Sequence, residues 1–136
     1  MIIIGRPPNF EQIKAAFPDA EKPGVMFAYG NIYNPSGNVI PPALIAHEKV
    51  HLERQHPPFS NPGEWWDRYI HDSEFRYYEE LLAHVAEFQM QRTRDRNFVA
   101  RLMVHTALRL IAPLYHYQPP RSLQGAMKDL RREIGK

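Results

Sequence analysis

Residues 41–55, Pro41-Pro42-Ala43-Leu44-Ile45-Ala46-His47-Glu48-Lys49-Val50-His51-Leu52-Glu53-Arg54-Gln55, have the pattern of a single helix. Proline at the first helical position gives up only an amide that would be unpaired anyway, so Pro41 and Pro42 suit its start, and Pro57-Pro58 stops it after Gln55. His47 and His51 are four apart and share one face, about one turn from each other. Two imidazoles so placed can bind one zinc ion without leaving helical geometry. Glu48 then lies close to the metal without binding it, where it can take a proton from water that the metal acidifies and pass it to a leaving group. The competing explanation is a polar helix face with two solvent-facing histidines and an unrelated glutamate.

A catalytic zinc needs a third protein ligand and one open position. The chain has no cysteine, which excludes disulfides, thiolate zinc sites and a cysteine nucleophile, so the ligand must be His, Asp or Glu. The next long helical segment offers Glu80-Leu81-Leu82-Ala83-His84, with Glu80 and His84 again four apart. Glu80 is the expected third ligand, and Glu79 and Glu87 are the alternatives. Arg76 can pair with Glu79 or Glu80 one turn on and orient it, or form a routine helix salt bridge.

Outward from these helices the pattern is α+β: a small N-terminal sheet followed by a helical majority in one domain, residues 1–136. Met1 to Ile4 suits a short buried strand. Asn9 is placed to cap a helix over 10–17, and Val25 to Tyr33 is strand-like, with Asn34 to Asn38 as the turn into a return at Val39-Ile40. Helical patterns cover 65–70, which is short, 73–92, which is long, 97–112 and 122–134. The third of these ends where Pro113 stops it, and Asp72 or Ser73 caps the second. Phe75, Tyr78, Leu82, Val85 and Ala86 are its expected buried stripe.

The His47-Glu48-x-x-His51 motif followed on a later helix by Glu80-x-x-Ala83 resembles the gluzincin branch of zincin-like metallopeptidases. More closely, the run from Tyr29 to Pro35 through Gln55, Trp65-Trp66, Tyr69, Phe75-Arg76 and Glu80 resembles small proteins of phages and prophages that carry the same motif. The resemblance spans most of residues 25–92. It implies a minimal zincin-like core, Zn²⁺ held by His47, His51 and Glu80, Glu48 as general base, and a peptide or protein substrate pairing with the edge strand formed by Val25 to Tyr33. His84 stands where the pattern has aspartate. It is either a supporting partner of a ligand imidazole, a substitute ligand or neither.

With 17 Lys and Arg against 15 Asp and Glu, the net charge of +2 does not indicate obligate nucleic-acid binding. The run Arg92 to Arg96 is read as a solvated helix end in preference to a nucleic-acid stripe. No run of 18 apolar residues occurs, and the expectation is a cytoplasmic protein with no membrane partner. Trp65 and Trp66 are expected to seal the loop over the core. Tyr77, Tyr115, His116 and Tyr117 are candidates for oxyanion stabilisation, and sequence does not choose among them. The alternative to a hydrolase is a phage-type structural or interaction protein in which the same residues form a metal-stabilised or non-catalytic site.

Overall fold

Side chains just outside each helix set most of the boundaries in the computed structural model, which describes residues 1–136. Helix α1 is Phe10–Ala16, α2 Pro42–Gln55, α3 Pro62–His71, α4 Ser73–Gln91, α5 Arg96–Leu110 and α6 Leu123–Ile134. Asn61, Asp72, Asp95 and Ser122 each accept a backbone amide from the first turn of α3, α4, α5 and α6, satisfying donors that the helix leaves unpaired. Asn9 precedes α1 but makes no such bond; its amide donates to Gln12 instead. Short 3₁₀ turns at Pro18–Glu21 and Pro113–Tyr115 connect the longer elements.

The sheet has three short strands, β1 (Ile2–Ile3), β2 (Phe27–Tyr29) and β3 (Asn31–Tyr33), in the order β1-β3-β2. β1 runs parallel to β3 and β2 antiparallel to it. The chain therefore reverses at Gly30, whose φ of 70° favours glycine, and not after Asn34. Val39 is 98% exposed and forms no return strand. The N-terminal Ile run does pair, but Ile2 and Ile4 face solvent, because one edge strand on a three-stranded sheet has nothing to bury them.

Ile32 and Asn34 donate to Met1 and Ile3, so by the alternation of a strand Asn31 and Tyr33 face β2, and Ala28 turns its peptide groups to the open edge. The Ala28 carbonyl is occupied there. It accepts Gln55 Nε2 at 2.6 Å and Trp66 Nε1 at 2.8 Å, while Gln55 Oε1 accepts Gly30 N–H at 3.0 Å. The last residue of α2 thus fixes that helix against the hairpin.

Two apolar clusters form the core. Phe10, Ile13, Phe17 and Phe27 pack with Trp65, Trp66 and Tyr69 of α3, and Tyr77, Leu81, Ala107, Leu110 and Leu130 pack between α4, α5 and α6. Helix α4 lies between α2 and the C-terminal pair, so it is buried on more than one side. Its buried residues are Arg76, Tyr77, Glu79, Glu80, Leu81, Ala83, His84, Glu87 and Phe88, and Tyr78 of the expected stripe is 43% exposed. The stripe is displaced because the face towards α2 carries carboxylates and an imidazole. Residues 96–115 are long and apolar enough by composition to cross a membrane; Leu102, Ala107 and Leu110 of this segment are buried in the fold.

Candidate metal centre

Helices α2 and α4 place the charged residues of the motif face to face. His47, Glu48 and His51 of α2 and Glu80, His84 and Glu87 of α4 are all buried, a costly arrangement unless the charges are paired. His47 Nε2 and His51 Nε2 are 3.2 Å apart. Glu80 Oε1 is 3.2 Å from the first and Glu80 Oε2 is 3.0 Å from the second. Nitrogen and oxygen ligands about 2.0–2.1 Å from a tetrahedral zinc stand about 3.3–3.4 Å from each other. The two imidazole nitrogens stand near that spacing from each other, each stands near it from one of the two Glu80 oxygens, and the expected set His47, His51 and Glu80 is brought together.

A second grouping, His47 Nδ1, His84 and Glu87, departs from that spacing in both directions. His47 Nδ1 is 2.6 Å from Glu87 Oε1, and His84 Nε2 is 3.9 Å from the same oxygen. The shorter value is direct side-chain contact, although it lacks good hydrogen-bond alignment. Glu87 thus backs the imidazole of His47, the place of a carboxylate that orients a metal-ligating histidine. Arg109 of α5 holds Glu87 from behind with two bonds of 3.1 Å. Glu87 is seven residues from Glu80, so its sharing a face was legible in the spacing. Nothing in the sequence near Arg109 signals its role, which depends on α5 packing against α4.

His84 does not support a ligand in the expected way. Its Nδ1 donates to the Glu80 carbonyl at 2.7 Å, which leaves Nε2 without a proton or a partner, and its ring packs edge-on against that of His47 with centroids 4.6 Å apart. Arg76 also departs from expectation. It reaches neither Glu79 nor Glu80; its guanidinium donates to the carbonyls of Tyr69, Ile70, Tyr115 and His116 at 2.7–3.1 Å. The position near the start of α4 points it away from the carboxylates and towards the end of α3 and the turn after α5. Glu79 is instead held by Arg54 at 2.6 Å and by Trp65 Nε1 at 2.7 Å.

Tyr69 donates to Glu80 Oε2 at 2.7 Å and fixes the carboxylate towards the histidines. Burial is the largest influence on these groups, but charge overrides it at several of them. His47 is destabilised as a cation by burial, yet Glu80, Glu87 and Glu48 hold its pKa up at about 10. Burial opposes ionisation of Glu80, but His51 and His47 keep it well below the usual carboxylate range. Glu87 is likewise held at about 2 against burial, by His47, His84 and Arg109. Glu48 differs: burial raises its pKa, and it has no hydrogen bond or ion pair. Glu80 and Glu87 contact the imidazoles while Glu48 lies buried and unpaired near them, and this gathering of buried carboxylates favours a positive charge between them. That charge balance, the unpartnered Glu80 Oε1 and the ligand spacing all fit a divalent metal.

The cluster opens into a cleft of about 310 Å³. One wall is the segment 23–28 leading into β2, and the rest is mainly apolar, including Phe17, Leu44, Leu114 and Tyr115. Trp65 and Trp66 are core residues and also line this cleft. Of the tyrosines considered for oxyanion stabilisation, only Tyr115 does so; its ring packs edge-on to His84. No protein-family model, curated protein or solved structure matches this chain.

Proposed function

We propose that this protein is a zinc-dependent hydrolase that cleaves peptide bonds. The observation that carries the proposal is the convergence of His47 Nε2, His51 Nε2 and both Glu80 oxygens at 3.0–3.2 Å on the floor of an open apolar cleft, beside the unpaired carboxylate of Glu48. Zinc bound there supplies a Lewis acid that brings the pKa of water towards neutrality and polarises a carbonyl. Glu48 accepts the proton of the attacking water and delivers it to the leaving amine; its raised pKa suits both roles. Tyr69 and the Glu87–Arg109 pair hold the ligands in register, and Tyr115, which lines the cleft, is the candidate donor to a developing oxyanion. The apolar lining favours a peptide with a large apolar side chain.

One observation favours the second reading, an interaction protein with a metal-stabilised site. The Ala28 carbonyl, which a substrate strand would need, is already bonded to Gln55 and Trp66. A substrate can therefore use only part of this edge. Glu48→Gln distinguishes the readings: the hydrolase loses turnover about 10²–10⁴-fold while zinc content stays unchanged by elemental analysis. Retained peptide cleavage in this variant would remove the proposed mechanism.

A further inference from the structure

Away from the cleft, the connection between α4 and α5 and the facing side of α6 enclose a groove of about 770 Å³. Arg92, Arg94, Arg96 and Arg131 line its rim, and none of them forms an ion pair within the molecule. The nearby acids are engaged: Asp95 accepts the amides of Asn97 and Phe98, and Asp129 accepts Tyr77 and Arg132. Helix-end electrostatics explain Arg92, which follows the C-terminus of α4. They do not explain Arg94 and Arg96, which flank the start of α5, where positive charge is disfavoured.

The floor of the groove is Val99, Met103 and Met127. It is aliphatic and thioether in character, a surface that adapts to apolar side chains. No aromatic ring lines it, so the stacking platform of single-stranded nucleic-acid sites is missing. Its concave form also suits a side chain better than a flat bilayer. We propose that this groove docks an acidic peptide segment, with an apolar side chain on the floor and flanking Asp or Glu residues on the arginine rim. The proposal stands on these residues alone and is independent of the metal centre.

The test is fluorescence anisotropy of the full chain with a short labelled peptide of Leu flanked by Glu, beside the same peptide with Lys for Glu, a single-stranded oligonucleotide and anionic phosphatidylserine vesicles. The acidic peptide is expected to bind and the basic one not to bind. Arg94→Glu with Arg131→Glu should weaken binding at least about tenfold, since both arginines are replaced by like charge. Met127→Ser, which leaves the rim intact, should weaken it several-fold. The arginine variant should keep the parent circular dichroism spectrum and melting temperature, because Arg94 and Arg131 are exposed; Met127 also packs against the α4–α6 cluster, so Met127→Ser is compared at a temperature where its spectrum matches the parent's. Absence of acidic-peptide binding, equal binding by the parent and either variant, or tighter binding of oligonucleotide or vesicles would overturn the proposal.

Discussion

Glu87 and Arg109 stand in line behind His47, one of the proposed metal ligands. If Glu87 fixes the ring of His47, then Glu87→Gln should lower zinc affinity about 10–100-fold in a chelator competition. Arg109→Ala should move affinity in the same direction by a smaller factor, because the carboxylate remains. Unchanged affinity in Glu87→Gln would mean that the His47–Glu87 contact of 2.6 Å is only packing. Trp65 offers a test of stability at the same scale. Its indole N–H is one of two donors to the fully buried Glu79 carboxylate, so Trp65→Phe should cost about 1–3 kcal/mol in denaturant unfolding beyond any loss of packing. His47, Glu48, His51 and Glu80 were legible in sequence because helical spacing alone puts them on usable faces. The roles of Arg76 and Arg109 were not, since Tyr115, His116 and Glu87 lie 22 to 40 residues from them, across helix packings that no local pattern encodes.

At the level of elements, α2, α4, α5 and α6 fall within a few residues of their sequence-based bounds because proline, Asp72 and Ser122 mark them. α3 starts earlier than expected, at Pro62, where Asn61 provides a cap overlooked in a loop rich in proline and glycine. The sheet was less legible: a strand that reverses at one glycine looks like one longer strand when both arms are apolar and aromatic. The buried face of α4 was misassigned for a different reason. Hydrophobicity locates buried faces by the absence of charge, and here the buried face holds Glu79, Glu80 and Glu87, each compensated by a partner on another element, and His84, which bonds the Glu80 carbonyl within α4. Gln55 gives an element-scale prediction. Its side chain hydrogen-bonds the end of α2 to Ala28 of β2 and to Gly30 at the turn, so Gln55→Ala should destabilise the fold by about 1–3 kcal/mol. The same substitution frees one lone pair of the Ala28 carbonyl. Hydrogen exchange should show faster exchange at Gly30 than at the α4 amides.

For the molecule as a whole, α4 separates two apolar clusters, and the metal centre lies on its face towards α2. Zinc bound between α2 and α4, as proposed, would therefore add stability to the folded state only. Free zinc at about one hundred times its dissociation constant should raise unfolding free energy by about 2.7 kcal/mol, and a strong chelator should reverse the gain. A melting temperature indifferent to zinc would indicate that no ion is held by the cluster. Arg76 has a different reach. It is almost completely buried without any carboxylate partner, and its guanidinium lies 5.2 Å from the ring centroid of Phe17 in one cluster and 5.9 Å from that of Tyr117 in the other. Because its four carbonyl partners come from α3 and from a turn some 40 residues later, the full set can close only when both clusters have docked. If docking of the clusters follows the folding barrier, these contacts form on its native side. Arg76→Lys, which keeps the charge but not the planar fork, should accordingly leave the refolding rate nearly unchanged and accelerate unfolding, making this buried cation a determinant of how long the native molecule survives.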